Sequence, residues 1–269
     1  MPGILLYLLP ATAYAALGIL CTRALRKGEA PVRSATRGLL AVALVLHGAS
    51  LSHALFEGGS LRFGFGAALS LTLWLAMLFY FLESFIARLD GLPAIAAPIA
   101  ALCCLLPWLL PGHSLPDGDT RNWAFRAHVV VAMLAYSLFT LAALHALLMA
   151  LAERQLHHAR LSRGLAGLPP LLVLENLLFR LIGVAFLLLT LTVLSGVFFS
   201  EQLFGKSLVW SHKTIFTIAA WLLFGALLAG RRAWGWRGRT AQRYTLAGFV
   251  CLLLAYAGTR FVLEVILGR

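Results

Sequence analysis

Charged side chains are scarce in this chain, and acidic ones are the scarcest. Only 12% of the residues are charged, with 10 Asp and Glu against 22 Lys and Arg, whereas 61% are apolar. A soluble domain is about half apolar and about a quarter charged. The excess apolar surface therefore indicates lipid as the solvent. In a membrane protein the net charge of +12 bears on topology rather than on nucleic-acid binding.

Several chemical motifs are also missing. The sequence has no Gly-rich phosphate loop, no HExxH and no convincing Ser-His-Asp order, which argues against an enzyme. The four cysteines form neither CxxC nor CxxCH, so we predict small buried side chains at Cys21, Cys103, Cys104 and Cys251. The apolar runs contain few acidic residues, and no pair of broken helices recurs in the two halves. Both features argue against a small-solute transporter.

Long apolar runs fill the remainder. Eight of them are long enough to cross a bilayer. They cover residues 3–22, 38–56, 64–87, 92–111, 125–150, 176–200, 211–230 and 243–267. We predict an all-α polytopic membrane bundle of about eight helices, with 1–269 as one integral membrane domain. The connection 151–175 is predicted to contain a short interfacial helix and a turn.

The basic residues predict the orientation. Fifteen of the 22 lie in or directly beside the connections after spans 1, 3, 5 and 7, so the positive-inside rule puts those connections in the cytoplasm and both termini outside. The first segment has no basic residue ahead of its apolar run, so we expect a retained helix rather than a cleaved signal peptide. The expected location is a bacterial inner membrane.

Histidines near the outer helix ends are the main candidates for chemistry. His53, His128 and His212 lie close to the outer ends of the second, fifth and seventh spans. Neutral imidazole is a good ligand for heme iron, and two imidazoles make a bis-histidine site. The plainer alternative is that each histidine makes a hydrogen bond at the membrane interface.

Other ionisable groups have assignable roles. Arg126, Lys213 and Arg260 are positioned to meet heme carboxylates, although Arg260 can instead pair with Glu264 four residues on. Deeper in the spans, His47 and His145 are expected to hydrogen-bond between helices, or less readily to hold a second cofactor. We predict that Glu83 is a boundary residue, and that Glu175 and Arg180 cap or pair at the start of the sixth span.

Four stretches of the C-terminal half resemble one family. They are AHVVVAMLAYSLFTLAAL at 127–144, LENLLFRLIGVAFLLLTLTVLSG at 174–196, WSHKTIFTIAAWLLF at 210–224 and RGRTAQRYTLAGFVCLLLAYAG at 237–258. They resemble the cytochrome c assembly proteins of the CcsA/CcmC type, most closely the smaller branch containing HemX and the inner membrane protein YpjD. The resemblance is strongest over 125–267.

The resemblance implies heme handling, with departures that matter. His128 matches an outer heme-ligand histidine of the family. Of the family's tryptophan-rich segment only Trp210 and Lys213 keep the frame, and His212 occupies a new position. Two other histidines of the family are absent here, because their positions correspond to about Leu267 and Ala229.

These departures imply a non-catalytic protein that binds heme b, with His128 and His212 as axial ligands and His53, Trp210, Lys213, Arg126 and Arg260 around the cofactor. Its expected partners are membrane lipid, heme and cytochrome assembly or other membrane proteins, and not nucleic acid. The alternative is a membrane scaffold or regulatory subunit in which heme binding has been lost.

Overall fold

A computed structural model describes residues 2–56, 61–87, 89–114, 122–157, 171–198 and 212–258. Within these ranges the chain forms eight α-helices. They are α1 (Pro2–Lys27), α2 (Arg33–Phe56), α3 (Phe65–Glu83), α4 (Leu92–Leu109), α5 (Trp123–His157), α6 (Leu171–Phe198), α7 (His212–Trp234) and α8 (Gly238–Leu253). A π-helical turn, Leu254–Gly258, continues α8.

The helices α1 to α7 are each long and apolar enough to cross a membrane. The described part of α8 is 16 residues long, and the remainder of the predicted eighth span, 259–267, lies outside the described residues. The chain is therefore a polytopic helical membrane protein, as the apolar runs predict. The placement of both termini outside the cytoplasm stays a prediction.

Two short strands were not expected from an all-α reading. β1 (Arg62–Phe63) pairs antiparallel with β2 (His113–Ser114), which ties the α2–α3 connection to the α4–α5 connection. The chain segments approach closely there, since a Cβ added to Gly112 would lie 2.7 Å from the backbone nitrogen of Gly64. The pairing is too short to alter the fold class.

Several helix ends differ from the prediction. α5 continues to His157, so His157 is helical rather than part of a loop. α6 already begins at Leu171, inside the segment predicted as a connection, and α8 begins at Gly238. The rest of that connection, including His158, lies outside the described residues.

The bundle has two halves that meet at α5. In the N-terminal half α1 packs against α2 and α4, and α3 packs against α2 and α4. In the C-terminal half α5 and α6 pack together, as do α7 and α8, and α8 also contacts α5. The contact between α3 and α5 joins the halves, which makes α5 the central helix.

Small side chains allow the close approach that helix packing in a membrane requires. Ala96, Ala97 and Ala100 are fully buried on α4. Gly18 of α1 lies against Pro98 of α4, where an added Cβ would come within 3.1 Å of the proline ring. In lipid, such packing replaces the hydrophobic driving force that soluble helices use.

The two ends of the bundle differ in charge. One end, which we call the basic end, carries Lys27, Arg33, Arg37, Arg231 and Arg239. There Arg33 and Arg37 of α2 donate to the turn after α3, at the Ser84 carbonyl. The opposite end carries the β1–β2 pair and the starts of α5 and α7.

Candidate histidine site at the ends of helices 5 to 7

His128 lies in the second turn of α5, at the end opposite the basic end. Its helix begins at an Asn122 cap, whose Oδ1 accepts from the backbone N–H of Ala124 at 3.0 Å. The His128 imidazole is partly buried and faces α6, with Nδ1 2.7 Å from Ser195 Oγ. Gly196, the next residue, also lies beside the ring, since a Cβ added there would be at ordinary contact distance, 3.7 Å, from His128 Cε1.

The hydrogen-bond network favours one tautomer of His128. The Ser195 hydroxyl has one hydrogen, and its oxygen lies 2.7 Å from His128 Nδ1 and 3.0 Å from the Thr192 carbonyl oxygen. With that hydrogen donated to the carbonyl, Ser195 Oγ accepts from His128 and Nδ1 carries the proton. A neutral imidazole then has its lone pair on Nε2, which is the arrangement a metal-binding histidine needs.

α7 begins beside His128. Lys213, in its first turn, lies close enough to act on His128 electrostatically. α5 and α7 run parallel from this point, since Tyr136 hydrogen-bonds with Thr217 and Phe139 stacks on Phe224 with ring centroids 3.9 Å apart. The structure therefore brings the starts of the fifth and seventh spans together, as the histidine hypothesis requires.

His212 is the first residue of α7, and its side chain is exposed. Consecutive helical residues point in different directions, so the approach of Lys213 to His128 does not by itself place the His212 ring. An axial pair of His128 and His212 stays a prediction that the structure leaves to experiment.

The other predicted site residues are distributed unevenly. Arg126 is exposed and two residues from His128, a spacing that places side chains on different faces of a helix. His53 is exposed at the end of α2, a helix that packs mainly against α1 and α3, so it belongs to the N-terminal half. Trp210 and Arg260, like the alternative partner Glu264, lie outside the described residues.

The interhelical role predicted for His47 is confirmed. His47 is fully buried, with Nε2 2.9 Å from Ser70 Oγ of α3 and Nδ1 3.4 Å from the Tyr14 hydroxyl of α1. Three helices of the N-terminal half are thus joined by one imidazole.

His145 is also buried, and it faces Glu83. Glu83 is the last residue of α3, at the helix boundary as predicted, and its Oε2 also lies 3.3 Å from His145 Nε2 of α5. This contact between the two residues was not predicted from the sequence. The partner predicted for Glu175 was wrong: its carboxylate accepts from Arg231 at 3.0 Å, while Arg180 is exposed.

The chain is similar to one protein family and to several named proteins. The family described as cytochrome C assembly protein matches residues 38–267. The inner membrane protein YpjD of Escherichia coli K12 is 34% identical over 139 residues, which is 52% of each chain. A 28.8 kDa protein of Azospirillum brasilense, uncharacterized and from a nifR3-like 5' region, is 31% identical over 176 residues, 61% of this chain and 65% of that protein.

A third relative carries an explicit function in its name. The cytochrome c biogenesis protein CcsA of Gloeobacter violaceus is 32% identical over 91 residues, which is 34% of this chain and 27% of CcsA. The aligned segments thus span about half to two thirds of the first two relatives and about a quarter of CcsA. Because the family match covers residues 38–267, most of this chain, the chain belongs to the cytochrome c assembly protein family.

Proposed function

We propose that this membrane protein binds heme b near the outer face of a bacterial inner membrane, as a non-catalytic component of cytochrome c assembly or heme handling. The observation that carries the proposal is the His128–Ser195 hydrogen bond, at 2.7 Å. It holds the ring in place and leaves the lone pair on Nε2, the nitrogen that would bind iron. His212 is proposed as the second ligand, because it begins the helix that runs beside His128.

The surrounding residues fit the same group. Lys213 is close to His128 and supplies a cation for a heme carboxylate. Arg126 is exposed two residues before His128, on a different face of α5, and is proposed as a second cation at the edge of the site. Trp210 is a proposed neighbour by family resemblance, and Arg260 by its place in the sequence near the outer histidines. A bound heme would supply a redox-active iron, while the protein would contribute ligation, orientation and charge neutralisation.

A catalytic role is not part of the proposal. Residues 210–214, WSHKT, correspond to the segment that reads WDPKE in the family. Ser211 and Thr214 stand at its two acidic positions, and His212 stands at its proline position. Covalent ligation of heme to a cytochrome needs a platform for both heme and the apoprotein. We therefore propose that the chain holds or passes heme and that other assembly proteins, its expected partners, perform the ligation.

Absorption spectroscopy of the purified protein tests the proposal. Expressed with ample heme, the wild type should show a Soret band and, after dithionite, the sharp α-band of a low-spin bis-histidine heme. His128→Ala should remove the low-spin signal, whereas His157→Ala, at the other end of the same helix, should retain it. A colourless wild type that is otherwise well folded would reject heme binding.

The exposure of His212 supports a second candidate, a membrane scaffold or regulatory subunit that has lost heme. This candidate predicts that His128→Ala and His212→Ala leave the cellular phenotype and the co-purification of a membrane partner unchanged. Loss of the phenotype in both variants, at normal expression, would favour heme binding instead.

A further inference from the structure

Glu83 and His145 meet inside the bundle, at the contact that joins its two halves. Glu83 is the last residue of α3, and His145 lies on the inner part of α5. The His145 side chain is 0% exposed and that of Glu83 10%, with 3.3 Å between Nε2 and Oε2. Neither of these two atoms has another hydrogen-bond partner among the described residues. Two ionisable groups therefore face each other where water is largely excluded.

The other ring nitrogen of His145 determines what this contact must contain. Nδ1 lies 2.9 Å from the Leu141 carbonyl oxygen, one turn earlier on α5. A carbonyl oxygen only accepts, so Nδ1 carries a hydrogen. If the imidazole is neutral, Nε2 is then a bare lone pair. A lone pair facing an ionised carboxylate at 3.3 Å in a buried site is two acceptors in contact, which is unfavourable.

One additional proton removes the conflict. It can reside on Nε2, giving an imidazolium beside a carboxylate, or on Oε2, giving a neutral imidazole beside a carboxylic acid. Both forms have zero net charge and one hydrogen between the two atoms. A zero net charge is also the cheapest state for a pair buried at membrane depth.

Three cations at the basic end donate to other groups. Arg33 donates to the carbonyls of Ser84 and Ala87, and Arg37 to Ser84, in the turn directly after Glu83. Arg239 of α8 donates to Glu153 of α5. Among the described residues, these cations are thus engaged with groups other than Glu83 and His145.

We infer that Glu83 and His145 form a buried proton-binding site that couples the N-terminal half of the bundle to the C-terminal half. The shared hydrogen lies between Nε2 and Oε2, so it holds the end of α3 against the inner part of α5. Without it, the carboxylate would face the Nε2 lone pair and the α3–α5 contact would weaken.

Spectroscopy of the full chain in lipid nanodiscs tests the proton directly. We expect infrared and histidine ¹⁵N NMR spectra at neutral pH to show either imidazolium with carboxylate, or neutral imidazole with carboxylic acid. The Glu83→Gln variant assigns the infrared band and His145→Gln the NMR signal. A neutral His145 beside an ionised Glu83 at that pH would overturn the inference.

Thermal stability at one neutral pH tests the coupling. Glu83→Gln keeps the shape, and its amide N–H can donate to Nε2, so this variant should fold and keep the contact. Glu83→Leu has a similar volume but no donor, so its Tm should lie at least about 3 °C below that of Glu83→Gln. Equal Tm values for the two variants would contradict the coupling. Neither measurement depends on heme, so its failure is distinct from failure of the proposed function.

Discussion

The guanidinium of Arg231 on α7 donates to the Glu175 carboxylate on α6, with Nη1 3.0 Å from Oε1. The other carboxylate oxygen accepts from the backbone N–H of Gly238, the first residue of α8, at 3.1 Å. Arg231 also lies over the Phe179 ring, 3.7 Å from its centroid. One buried acid thus holds three helices of the C-terminal half together at the basic end.

Removing the cation from this contact should destabilise the bundle. We expect Arg231→Ala to lower the free energy of unfolding by about 2–3 kcal/mol, because Glu175 would stay buried with only the exposed Arg237, 4.0 Å away, as a cation. Arg231 is partly exposed, which keeps the loss below that of a fully buried pair. Unfolding in mixed micelles measures it. Arg232→Ala, at the exposed neighbouring position, is the control and should change stability by less than about 0.5 kcal/mol.

A second prediction concerns the tight packing of α8 against α7. A Cβ at Gly248 would lie 2.7 Å from the Phe224 ring, which is itself stacked on Phe139. Gly248→Ala should therefore cost about 1–3 kcal/mol through overpacking. Gly183→Ala on α6 meets nothing within 4 Å and should be neutral or stabilising, since alanine favours a helix by about 1 kcal/mol. Equal stability of the two variants in a denaturation series would show that the α7–α8 contact adapts.

Length of apolar sequence was enough to predict the helices but not their ends. α5 continues past residue 150, to His157, because residues 153–157 contain no glycine or proline. α6 starts at Leu171, directly after Pro169 and Pro170, and proline near a helix start was a usable signal for that boundary. The two-residue strands β1 and β2 are too short to leave any periodic pattern.

Contacts between helices were harder to predict than the helices themselves. The sequence places His128 at an outer helix end, but its bond to Ser195 joins residues 67 positions apart. The Glu83–His145 and Glu175–Arg231 contacts likewise depend on the rotation and depth of two separate helices. The hydrophobic pattern alone determines neither the rotation nor the depth of a helix, because all faces of these helices are largely apolar. Family resemblance supplied His128, while the partners came from the packing.

The orientation of the bundle gives a prediction of its own. Phe56 at the end of α2 is 63% exposed and Trp234 at the end of α7 is 73% exposed, at opposite ends. In a background lacking the native cysteines, a membrane-impermeant maleimide should label Phe56→Cys in intact cells. It should label Trp234→Cys only after permeabilisation, because the arginines of the basic end are retained in the cytoplasm. The reverse pattern would invert the topology and move His128 to the inner face.

The last prediction concerns how His128 is held. Ser195→Ala removes the acceptor of the Nδ1–H bond without adding volume, so the ring loses its fixed tautomer and orientation. Heme affinity should fall about tenfold, the smaller of the losses usual when a ligand histidine loses its hydrogen-bond partner. In the heme-free protein, the ¹⁵N signals of His128 should change from one Nδ1–H form to a mixture of tautomers. Ser137→Ala is the matched control, because that hydroxyl donates only within α5, to the Met133 carbonyl. If both serine variants leave the heme spectrum and the tautomer unchanged, Ser195 does not position His128, even if heme binding itself is confirmed.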